Sequence, residues 1–171
     1  VDPLAGYVYL SEEPERRIVT FDPVTREVVS STLTLGEPGE VLYEEFSGLC
    51  YVTHRRQPVF SGFDPRSGIL KVTIDLCSPG SGLAFQQVGG LLYVAQSACA
   101  EVAIFRPEYE IELGTIRLTG KPGRLSVTPD SGQLLVCHPH DDQLAIYETG
   151  NRSLRFLIDT GRQPHTALVP R

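Results

Sequence analysis

Three observations predict an all-β chain built from four copies of one unit. A strand ending in an aromatic residue recurs about every 42 residues along the 171-residue sequence. Two further columns recur at the same interval, and turn-forming residues separate them. Tandem four-stranded units of roughly 40–45 residues are the signature of propeller blades, so the predicted fold is a four-bladed β-propeller of antiparallel blades.

The first column is Ile18-Val19-Thr20-Phe21-Asp22-Pro23, matched by Phe60 to Pro65, Val102 to Pro107 and Leu144 to Thr149, each with an aromatic at its fourth position. The second is Tyr7-Val8-Tyr9-Leu10, followed by Cys50 to Thr53, Leu92 to Ala95 and Leu134 to Cys137. The third is Val41-Leu42-Tyr43, followed by Leu83 to Phe85, Leu125 to Val127 and Ala167 to Val169. These runs are short and rich in Val, Ile, Leu, Tyr and Phe, which reads as strand rather than helix. Between them, Arg66-Ser67-Gly68, Asp130-Ser131-Gly132 and Thr149-Gly150-Asn151 carry the residues that hairpin turns need. Pro38, Pro79, Pro122 and Pro164 close successive copies at places where no central ladder is broken.

The copies divide the single predicted domain at about 1–38, 39–79, 80–122 and 123–164. Val1-Asp2-Pro3 matches Val127-Thr128-Pro129, so the chain starts inside a blade, and residues 165–171 supply the first strand that this blade lacks. The expectation is a ring closed by N- and C-terminal strands that share one blade, with no free inner edge. Leu168-Val169-Pro170-Arg171 fits that strand and also fits the scar of a protease-cleavable tag, and a chain without methionine that begins at Val1 reads as a processed piece.

Composition narrows the function classes. A net charge of −6 and a pI near 5.2 lack the clustered basic face that nucleic acid requires. Hydrophobic content of 41% with 21% charge is ordinary for a globular domain. No apolar run approaches the roughly 18 residues of a membrane span.

Tyr51-Val52-Thr53-His54, Leu92-Tyr93-Val94-Ala95, the Val127 to Gly132 turn and Phe21-Asp22-Pro23 resemble the prokaryotic YVTN-type β-propeller repeat. The resemblance covers essentially the whole chain, although members usually carry more blades than these four repeats. It implies a propeller fold, often extracytoplasmic and hence periplasmic or secreted, with a cytoplasmic location also open. It implies little about activity, because propellers host many unrelated functions.

Candidate sites follow from the loop face, where ligands usually bind in propellers. The position after the second strand is read as Ser11, His54, Gln96 and His138. His140 with Asp141 and Asp142 extends the last of these loops, and His165 follows the blade-closing Pro164. Imidazoles suit a divalent transition metal, so His54, His138, His140 and His165 are the candidate ligands, set against surface or structural histidines. Glu40 and Arg124 occupy matching first-strand positions and are a candidate anion site or a structural charge pair. Glu44 and Glu45 are adjacent in a strand, face opposite ways, and cannot share a substrate.

Cys50 and Cys137 read as small buried hydrophobes, and Cys137-His138-Pro139-His140 as a weak metal motif. Cys77 and Cys99 are a candidate disulfide if the protein is exported. No Ser-His-Asp or Cys-His set and no phosphate-cradling glycine loop can be assembled. The first expectation is therefore a non-enzymatic binding or scaffold propeller, monomer or homodimer, holding a protein partner or small ligand by its loop face. The alternatives are a metal- or cofactor-binding propeller and, after it, a lactonase-like hydrolase.

Overall fold

A computed structural model of the protein describes residues 6–167. The chain is all-β, with four consecutive antiparallel sheets of the propeller-blade type, as the repeat predicts. It divides at the Gly80–Ser81 bond into two compact units of two sheets each.

In the first unit, β1 (Val8–Glu12), β2 (Arg17–Asp22) and β3 (Glu27–Leu33) form one sheet. The second sheet is β4 (Pro38–Glu44), β5 (Leu49–His54), β6 (Val59–Phe63) and β7 (Leu70–Asp75). In the second unit, β8 (Gly80–Gln86), β9 (Leu91–Gln96), β10 (Glu101–Arg106) and β11 (Ile111–Arg117) form the third sheet. The fourth is β12 (Leu125–Val127), β13 (Gln133–His138), β14 (Gln143–Glu148) and β15 (Leu154–Asp159). Each is a simple meander in chain order. Of the residues 165–171 expected to complete the first blade, 165–167 lie in no strand and 168–171 are outside the described residues, as are residues 1–5.

The repeat is written into the backbone as well as the side chains. In every sheet the outermost strand carries one extra residue opposite the strand before it. These are Val29, Lys71, Leu113 and Arg155, spaced 42 apart by their numbers. Three residues earlier, Arg26, Gly68, Glu110 and Arg152 all adopt positive φ, between 55° and 72°. Each ends the turn that feeds the bulge, as when the Arg26 amide donates to the Asp22 carbonyl and Gly68 to Asp64, both at 2.8 Å. A bulge sharpens strand twist and blunts an edge that would otherwise pair with a stranger.

Strand alternation then assembles the cores. In the first unit Tyr9 and Ile18 pack on Cys50, Val52 and Phe63 of the next sheet, with Tyr9 stacked on Tyr43 at 5.1 Å between ring centres. In the second unit Tyr93, Ala95, Val102 and Ile104 meet Leu125, Leu134, Val136 and Tyr147 in the same way. Close approach of the first strands decides one glycine: a Cβ on Gly82 would lie 2.5 Å from the Gly123 carbonyl oxygen and 3.0 Å from the Arg124 Cα. Backbone cannot yield as a side chain can, so Gly82→Ala should lower stability by about 1–3 kcal/mol, the usual range for overpacking. A Cβ on Gly150 meets nothing within 4 Å, so Gly150→Ala should melt like the parent in the same thermal scan.

Candidate functional site

The ends of the second strands are where the sequence places its strongest candidates, and strand pairing corrects one of them. Val8 pairs with Phe21 as Cys50 pairs with Phe63, Leu92 with Phe105 and Leu134 with Tyr147. The first copy is therefore in step with the others only if Glu12, not Ser11, matches His54, Gln96 and His138. Ser11 is exposed and lies opposite Ile18 in the ladder, one residue short of that position. The slip arises because Tyr7-Val8-Tyr9 offers two tyrosines two residues apart for one column.

Three of the four residues at this position are inside the protein. His54 is 0% exposed, Gln96 2% and His138 2%, whereas Glu12 is half-buried and accepts a charge-assisted bond from Arg17 Nε. They end their strands as core polar groups and do not project from loops. His54 Nε2 lies 3.0 Å from Ser61 Oγ, and its Nδ1 has no hydrogen-bond partner. In the fourth sheet the residue matching Ser61 is Ala145, which supplies no hydroxyl, and both ring nitrogens of His138 lack a partner in hydrogen-bonding geometry. Gln96 reaches Glu101 at 3.4 Å.

Burial is the main influence on both imidazoles and holds them below the ordinary histidine value, toward the neutral ring. The Gly36 backbone beside His54 pulls weakly the other way. Asp141 and, after it, the Lys121 backbone do the same for His138.

The remaining candidates are scattered. His140 and His165 are exposed. His140 lines an open depression of about 410 Å³ with Pro139, Asp142, Arg162 and Gln163, at the loop end of the fourth sheet. Asp142 shapes its floor: its Oδ1 accepts the Gln163 amide at 2.8 Å and its carbonyl accepts the Thr160 amide at 2.8 Å. Glu40 lies half-buried in β4, where its amide donates to Thr53 Oγ1 at 3.0 Å. Arg124 is exposed just before β12, and its carbonyl accepts the Cys137 amide. Glu44 is 5% exposed and spends its carboxylate on its own turn, accepting Phe46 N, Ser47 N and Ser47 Oγ between 2.6 and 2.8 Å.

Cys77 and Cys99 are disulfide-bonded, while Cys50 and Cys137 are free and buried. Burial pushes the Cys137 thiol up, away from the thiolate a metal would need. Among the described residues, none of the four histidines belongs to a group of three convergent ligand-type side chains. No described helix is long and apolar enough to cross a membrane.

No family model and no curated protein matches this chain. Among solved structures, hydrazine synthase of Kuenenia stuttgartiensis superposes with a TM-score of 0.83 over 96% of this chain, at 15% identity. The match takes in 48% of that structure, so this chain spans about half its length. As many as 1182 chains of solved structures match, so the likeness establishes a β-propeller fold and assigns no chemistry.

Two measurements check this description. A neutral buried histidine that charges freely once unfolded makes stability rise with pH, fully present above the unfolded value near 6.5 and lost as pH falls below it. The melting temperature should therefore drop between neutral and mildly acid pH, and drop less in His54→Gln and His138→Gln, which copy the natural Gln96. Ala145→Ser should give His138 the partner that His54 already has and raise stability by about 0.5–1.5 kcal/mol, read by urea unfolding.

Proposed function

We propose that this chain is a non-enzymatic binding or scaffold propeller of the YVTN type, using loops at one end of its blades to hold a protein partner or a small polar ligand. The observation that carries this reading is the depression beside His140. It opens on the loop end of the fourth sheet and presents cationic Arg162, titratable His140 and anionic Asp142 together. Mixed charge on fixed loops is the usual furniture of a recognition surface, and Asp142 ties those loops to each other. The buried His54, Gln96 and Glu44 are already engaged within the fold, which favours binding over a lactonase-like hydrolase. The bonded Cys77 and Cys99 support a periplasmic or secreted location, where disulfides persist.

A metal-binding reading has one observation in its favour, the two unpartnered nitrogens of His138, three residues before Asp141 and two before His140. Fragment screening by protein NMR on the full chain distinguishes the two. Polar fragments should perturb the amides of 139–142 and 162–163, and His140→Ala with Arg162→Ala should abolish those shifts. Fragments that bind while leaving these amides unmoved would remove the loop-face reading. Stoichiometric zinc or nickel uptake by untagged protein, lost in His138→Gln, would put the metal reading in its place.

A further inference from the structure

The first unit holds a second cavity, at the other end of its sheets from the loops discussed above. It measures about 380 Å³ and lies in the seam between the two sheets, lined by Tyr7, Thr20, Val29, Ser30, Pro65 and Arg66. Thr20 is 4% exposed and lines this cavity. Ser30 beside it donates to the Pro65 carbonyl at 3.0 Å, which ties the two sheets together and leaves its lone pairs facing the cavity. Arg66 brings the sole charge of the lining and forms no ion pair among the described residues. The nearby Asp64 carboxylate is engaged elsewhere, accepting Arg66 N and Ser67 Oγ at 2.8 Å.

The same seam in the second unit provides an internal control, 84 residues on by the numbering. Where the first unit has Thr20, the second has Ile104. Ser30 becomes Gly114, Tyr7 becomes Leu91, and Arg66 becomes Gly150. The Arg152 guanidinium donates to the Leu113 carbonyl at 3.1 Å and lies where a Cβ on Gly114 would come within 2.8 Å of it. The residue matching Arg152 in the first unit is Gly68. The first seam thus carries hydroxyls where the second has Ile104 and Gly114, and it keeps Arg66 at its rim, while the second uses Arg152 to bond the Leu113 carbonyl.

We infer that the seam of the first unit binds a small organic carboxylate. The guanidinium of Arg66 would pair with the carboxylate, the hydroxyls of Thr20 and Tyr7 would donate to it, and Val29 and Pro65 would pack on a short apolar tail. The volume lies at the low end of small-molecule sites, which fits an acid of a few carbons. This site is independent of the loop-face reading, since it shares no residue with it.

The test is a titration of full-length protein with butyrate and benzoate, followed by amide NMR, with butyramide and inorganic phosphate as matched probes. Saturable shifts at Thr20, Ser30 and Arg66 with the acids, and none with butyramide or phosphate, are the expected result. Arg66→Gln should weaken binding about tenfold, as loss of a charge-assisted pair does. Thr20→Val should weaken it less, and Gly68→Arg, which copies the Arg152 of the second seam, should abolish it. Equal binding of butyramide or phosphate, or no shift at these amides with either acid, would overturn the proposal. Arg66 is exposed, so its substitution tests the site even where a buried variant fails to fold.

Discussion

One extra residue in the outermost strand of each sheet keeps four divergent repeats in step. Val29 and Leu113 are aliphatic while Lys71 and Arg155 are cationic, yet each is the unpaired residue of the same bulge. What they share is backbone: a left-handed residue three positions earlier, at Arg26, Gly68, Glu110 and Arg152, that closes the preceding turn. A slip of one residue turns a whole strand inside out, so the bulge must recur at one place if the aromatic before each turn is to reach the core. Phe63, Phe105 and Tyr147 are all buried as a result.

Because the backbone is held constant, chemistry varies against it from copy to copy. The last residue of the second strand is Glu12, His54, Gln96 and His138, and the neighbouring strand offers Ser61 to one histidine and Ala145 to the other. The two imidazoles occupy matched positions but differ in whether a hydrogen bond is available. The sheet-to-sheet seams differ in the same manner: one holds an open cavity lined by hydroxyls, and in the other Arg152 bonds the Leu113 carbonyl. A repeat protein can place a site at one seam and leave its twin structural, because each seam is formed only by neighbouring sheets.

Much of this was legible in the amino-acid order. Short apolar runs at a fixed interval announced the strands, and Arg66-Ser67-Gly68 and Asp130-Ser131-Gly132 announced turns that Asp64 and Asp130 hold through their carboxylates. Glu44 ends β4 and anchors the turn that follows, which includes Glu45. The register of the first copy was less legible, since Tyr7 and Tyr9 compete for one column and only the Val8–Phe21 pairing settles it. Burial of His54, Gln96 and His138 was hidden too, because a polar residue next to a turn looks exposed whichever side of the strand end it takes. Thr20 did carry a signal, as the hydroxyl residue in a column otherwise filled by Gly62, Ile104 and Ile146.

By itself the sequence determined the fold class, the number of copies, the strand and turn positions and the acidic net charge. These are properties of local pattern and composition, and period and propensity express them directly. The tertiary structure alone decided which of the polar residues meet one another. Pairing Ser61 with His54, withholding a partner from His138 and leaving Thr20 over an open cavity depend on contacts between strands or between sheets. Ser30 and Pro65 illustrate the limit: they lie 35 residues apart and are joined by one hydrogen bond, which no spacing within the chain foretells.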